Sequence, residues 1–228
     1  VIFAGVMLYA SLLLGAMAVD QEARVLTDFG LAMIELVALA AVIFGCATVI
    51  LKDIESKTIY LVLSRPVTSF AYLSGKLAGI LASVAGAIVC MGALHILLLK
   101  FKGDPVPAYY FQVLGSIWLK AAIMGSLSVT ISLISTSVLS SVIMASIFWT
   151  LGHFVAEAGF LAEKAGGVTL IMLKPVLYLA PNMQLYNLKD RWDAVSAGPS
   201  WIVLLIYALL YCGACMSVSV LLFRKKEF

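Results

Sequence analysis

Residues 30–51 read GLAMIELVALAAVIFGCATVIL, an apolar run interrupted by a single carboxylate, Glu35. Wound as an α-helix, at 1.5 Å per residue, such a run crosses a hydrocarbon core of about 30 Å. A helix is the required form, because in lipid each backbone N–H and C=O must find its partner within the segment. Reading outward, the pattern recurs: apolar stretches cover 1–18, 30–51, 71–99, 109–135, 138–161 and 201–223. The expected fold class is all-α, a polytopic membrane protein with six transmembrane helices in a single transmembrane domain over 1–228. The third and fourth stretches exceed the membrane thickness, so tilt or extension beyond it is expected.

Composition leads to the same solvent. The chain of 228 residues is 63% hydrophobic and 12% charged, with a mean hydropathy of +1.09. Soluble domains are about half apolar and about a quarter charged, so lipid must face most of this surface. The net charge of +3 and the lack of a long basic run exclude a nucleic-acid partner. Cys46, Cys90, Cys212 and Cys215 all fall in apolar runs and read as buried small hydrophobes. The C-x-x-C at 212–215 lies inside a spanning stretch without a βαβ context, and receives no redox role. The chain starts at Val1, inside an apolar run and without Met, which reads as an incomplete N-terminus rather than a signal peptide.

The connections differ in character. Residues 19–29 are short and acidic, 100–108 form a Gly/Pro turn, and STSVLSS joins the fourth and fifth stretches. Residues 162–200 are expected to be an extracytoplasmic loop with short helices dipping toward the outer leaflet. Lys and Arg tie at seven on each side of the membrane, but they are densest in the terminal RKKEF. That density places the C-terminus and the 52–70 connection on the cytoplasmic face of the inner membrane.

The 52–70 connection, KDIESKTIYLVLSRPVTSF, is the most informative stretch outside the spans. Asp53, Glu55 and Lys57 open it; Ile54, Ile59, Leu61, Val62 and Leu63 form an apolar side. This pattern predicts an amphipathic helix over 53–64, lying along the membrane surface. Pro66 stops it, and Lys76 is placed to snorkel to the headgroups. Taken on its residues alone, an ordinary interfacial anchor accounts for the segment equally well.

The longer run KDIESKTIYLVLSRPVTSFAYLSGK resembles the pattern that links the second and third spanning helices of ABC-2 type ABC transporter permeases. Glu55, Thr58, Leu63, Ser64, Pro66, Val67, Tyr72, Leu73, Gly75 and Lys76 match it; Val62 stands where leucine is frequent. YLAPNMQLYNL at 178–188 and the terminal FRKKEF resemble further segments of the same class. Within it, the chain looks most like the permease of nitrous-oxide-reductase maturation systems. The resemblance implies a coupling helix that docks into a separate ABC ATPase subunit. Asp53, Glu55 and Lys57 would make polar contacts, and Thr58, Ile59 and Leu63 would pack. Ser64 and Arg65 would complete that surface, with Pro66 turning the chain back into the membrane. It also implies a second permease subunit, identical or related, and export by family analogy. ATP and Mg would sit on the partner. This chain is expected to hold no cofactor and no metal and to be no enzyme, since it has no G-x-x-x-x-G-K-[ST] phosphate cradle.

Ionisable groups at membrane depth are the other candidates. Glu35, His95, Lys120, His153 and Glu157 qualify, all but Lys120 within about two turns of an expected helix end. Glu35, Lys120, His153 and Glu157 are the candidate substrate path, and the i,i+4 spacing of His153 and Glu157 gives those two a shared helix face. They could contact substrate, relay protons or hold a metal; interhelical hydrogen bonds are the plainer use. An ion-coupled secondary transporter and a non-transporting membrane assembly protein therefore stay open as alternatives. A metallohydrolase is the least supported, with two histidines and no H-E-x-x-H. Ser126, Ser128, Ser132, Gly86 and Gly125 are expected to let helices approach closely.

Overall fold

The computed structural model describes residues 22–57, 67–155, 179–188 and 200–225, with Gly5, Val6, Tyr9, Glu157, Gly159, Phe160 and Lys164. Among the described residues the continuous elements are five α-helices and one 3₁₀ helix: α1 Glu22–Glu55, α2 Ser69–Lys102, α3 Tyr110–Ile134, α4 Val138–His153, the 3₁₀ helix Met183–Tyr186, and α5 Trp201–Lys225. Among the described residues there is no strand. Four of these helices, α1, α2, α3 and α5, are long and apolar enough to cross a membrane, and α4 is a shorter apolar helix. The first apolar stretch, 1–18, lies almost wholly outside the described residues.

The ends of α2 and α4 have local causes. The Thr68 side chain accepts the Ala71 N–H at 3.2 Å and starts α2. Gly103, with φ of 81°, ends it: its N–H reaches the Lys100 carbonyl at 3.1 Å, and the Asp104 N–H reaches Leu99 at 3.0 Å. Ser137 accepts the Ser140 N–H at 3.2 Å and starts α4. At the other end of α4, Phe154 leaves the helical region (φ −108°, ψ 12°) after 16 residues. At 1.5 Å per residue α4 is about 24 Å long, less than the hydrocarbon core.

The chain runs up and down, with α3 in the middle of the packing. It touches α1, α2, α4, α5 and the 3₁₀ helix. Of its most apolar window 83% is buried, against 22% for α5, which marks α3 as the core and α5 as an outer helix of the described bundle. Small and hydroxylated residues make this possible. A Cβ on Gly125 would stand 2.9 Å from Leu77 Cδ1 and 3.1 Å from Val42 Cγ2, so α1 and α2 close on α3 there. Thr130 and Ser219 pair at 2.9 Å between α3 and α5, and Ser132 and Ser141 pair at 2.9 Å between α3 and α4. Gly86 has nothing within 4 Å of its would-be Cβ, so the close approach expected there is absent among the described residues. Cys90 is exposed, not buried, because it falls on an outward stripe of α2 with Val89, Leu94 and Leu97.

Three boundaries depart from the sequence reading. Residues 22–29, expected in a connection, form the first two turns of α1; Arg24 and Asp28 sit one turn apart at 4.0 Å, and Thr27 Oγ1 bonds the Ala23 carbonyl. The polar residues expected to open a surface helix at 53 instead finish α1, which runs to Glu55. Lys57 then turns the chain with φ of 56°, a left-handed conformation that costs a non-glycine residue about 1–2 kcal/mol. The span expected over 138–161 is interrupted at Phe154.

Candidate functional site

The structure gathers the polar candidates at two levels of the bundle. At the end where α1 hands over to the 58–66 segment, Asp53 accepts hydrogen bonds from α2. The Tyr72 hydroxyl donates to Asp53 Oδ2 at 2.5 Å, and Lys76 Nζ lies 2.8 Å from the same oxygen. Tyr72 and Lys76 are one helical turn apart, which aims both at a single acceptor, and the ammonium lies 5.8 Å from the Tyr72 ring centroid. The Tyr72 ring also meets Phe223 of α5 at 5.8 Å. Lys76 is thus held in an ion pair with Asp53, its side chain 36% exposed.

Asp53 Oδ2 therefore bridges the two helices on either side of the intervening segment. Glu55 and Lys57 are exposed beyond it. Thr58, Ile59, Leu63, Ser64, Arg65 and Pro66 lie outside the described residues.

The second site is in the core. Lys120 of α3 places Nζ 2.5 Å from Glu35 Oε1 of α1, with side-chain exposures of 1% and 9%. His153, the last residue of α4, brings Nε2 to 3.5 Å from the same oxygen. Its Nδ1 lies 3.0 Å from the Trp149 carbonyl, and the two rings meet edge to face at 5.5 Å. Glu35 is more than three turns from Glu22, not near a helix end, because α1 starts earlier than its apolar run. A charge at this depth is tolerated only with a partner, and removing one partner strands the other.

Three of the four intramembrane candidates thus meet, and Glu157 does not join them. The break at Phe154 undoes the i,i+4 face expected for His153 and Glu157. Glu157 Oε1 instead accepts from Gln184 Nε2 at 2.6 Å, in the 3₁₀ helix. That helix is anchored by tyrosines. Tyr186 donates to the Leu204 carbonyl at 2.7 Å, and the Tyr207 hydroxyl accepts the Asn182 N–H at 2.9 Å. The Pro181 carbonyl lies 2.5 Å from where a Gly152 Cβ would be, so only glycine lets this segment close on α4. His95 belongs to a separate packing unit, its Nδ1 2.8 Å from the Tyr110 hydroxyl and its ring pressed on Gly30.

Sequence reasoning missed Gln184 and Trp149, whose roles depend on where α4 stops. Tyr72 and Lys76 carried a usable signal in their one-turn spacing; their shared acceptor, 19 residues earlier than Tyr72, did not. Among the described residues no cluster of three His, Cys, Asp or Glu could hold a metal ion. Compared with known proteins, residues 4–228 match the family model described as ABC-2 family transporter protein. No curated protein matches the chain.

Proposed function

The chain belongs to the ABC-2 family of transporter proteins and is a multi-pass membrane permease subunit of an ABC transporter; from that premise we propose that a separate ATPase drives it through the segment between α1 and α2. The supporting observation is the bridge at Asp53. One carboxylate oxygen ties the end of α1 to Tyr72 and Lys76 at the start of α2, at 2.5 and 2.8 Å. A force on residues 56–66 is then delivered to both helices together. Without that tie, the same force would fray one helix end.

In this reading, residues 53–64 include the coupling helix and the exposed Glu55 and Lys57 meet the ATPase, which carries ATP and Mg. The loop and the C-terminus face the cytoplasm, in the inner membrane. A second permease subunit, identical or related, completes the path, since one such bundle offers too little wall. The direction is export, by analogy with the family. The narrower likeness to copper-enzyme maturation permeases rests on sequence pattern alone.

The test reverses both exposed charges, Glu55→Lys with Lys57→Glu, in the permease purified with its ATPase. Vanadate-sensitive hydrolysis should persist while cargo movement is lost. Coupling at the normal level in this variant would overturn the proposal. The buried Glu35–Lys120–His153 group favours a second reading, an ion-coupled carrier. Transport that follows an imposed ion gradient without ATP would establish that one instead.

A further inference from the structure

We propose that the gap between His153 Nε2 and Glu35 Oε1 is a proton-binding site that latches the end of α4 onto α1. The argument begins at the other ring nitrogen. His153 Nδ1 faces the Trp149 carbonyl at 3.0 Å. A carbonyl can only accept, so Nδ1 carries the hydrogen. In the neutral ring Nε2 then presents a lone pair, and the atom 3.5 Å away is a carboxylate oxygen. Two acceptors face each other across a gap too long for a hydrogen bond. One proton on Nε2 converts that opposition into a charge-assisted N–H···O contact, which closes to about 2.7–2.9 Å.

The surroundings allow the added charge. Among the described residues, α1 contributes Glu35, and α3 contributes Lys120, already 2.5 Å from the same Oε1. The 3₁₀ helix Met183–Tyr186 carries no charged residue, and its Tyr186 hydroxyl is committed to the Leu204 carbonyl. Glu157, on the chain beyond α4, is held by Gln184. Lys120 opposes a second cation; Glu35 and the carbonyl end of α4 favour it. The His153 side chain is 28% exposed, unlike the sealed Glu35 and Lys120.

Closing the gap moves more than one side chain. Gly152, next to His153, is the seat of the Pro181 carbonyl, so the end of α4 and the Pro181–Tyr186 segment shift as one. The site joins α1, α4 and the segment before α5 whichever energy source moves the cargo.

Trp149 reports on it, because a protonated imidazole quenches a neighbouring indole and the two rings are 5.5 Å apart. With Trp118, Trp192 and Trp201 replaced by Phe, Trp149 emission should fall as pH is lowered from about 8 to 5. The fall should vanish in His153→Gln. It should be displaced along the pH axis in the paired variant Glu35→Gln with Lys120→Met, which removes the carboxylate without stranding the lysine. Should the single-Trp protein not fold, NMR of the two histidine rings in the otherwise unaltered chain, assigned with His153→Gln, reads the same titration. Emission or ring shifts that stay flat for His153, or a transition that survives His153→Gln, overturn the site. A transition unmoved in the paired variant overturns the part assigned to Glu35.

Discussion

Asp53–Lys76 and Glu35–Lys120 are the same chemical pair, a carboxylate and an ammonium joining α1 to a neighbouring helix, placed in two different media. The first lies at the end of the bundle, with side chains 21% and 36% exposed. The second is sealed, at 9% and 1%. Water and ions screen the end pair, so its worth lies in direction, holding two helix ends together, more than in stability. The core pair is the reverse. Its two charges are tolerable only in each other's presence, which ties α1 to α3 through one matched contact. In the proposed coupling the two pairs divide the work: a tie where force would enter and a pin deep inside.

The contrast can be broken most sharply at the pin. Lys120→Ala or Glu35→Ala alone should cost about 3–5 kcal/mol, because a buried charge is left unpaired. Glu35→Leu with Lys120→Met should recover most of that loss. Thermal unfolding in detergent reads both; equal damage from single and double variants would mean that packing, not charge, holds this contact. A smaller effect is expected where neutral packing does the same task. Gly30→Ala drives a Cβ into the His95 ring and should cost about 1–3 kcal/mol, whereas Gly86→Ala, with open space around it, should be near neutral or slightly stabilising. The least change in stability belongs to the end tie. Asp53→Asn should cost no more than about 1 kcal/mol in the same melt while weakening the coupling of hydrolysis to transport. A loss as large as that of Lys120→Ala would erase the distinction.

How much of this was legible beforehand depends on the range of the interaction. Helices at 71–99, 109–135 and 201–223 were readable because apolar length is a local property, and α2, α3 and α5 differ from them by three residues at most. The start of α1 was not, since residues 22–29 alternate Glu22, Arg24, Thr27 and Asp28 with apolar residues, and an apolar run marks a membrane boundary rather than a helix boundary. Glu35, Lys120 and His153 stood out as costly groups at depth. Their meeting did not show, for it spans 85 residues of chain between Glu35 and Lys120.

Sequence by itself determined the solvent, the helical class and the family pattern around residues 52–76, because each depends on composition or on neighbours along the chain. Tertiary structure alone decided that α3 is the centre, that Asp53 is shared by Tyr72 and Lys76, and that Glu157 parts from His153 at the Phe154 break. Lipid accepts any apolar face equally, so hydrophobicity cannot say which helix meets which. Small residues, hydroxyl pairs and matched charges make that choice, and they act only once distant segments are side by side.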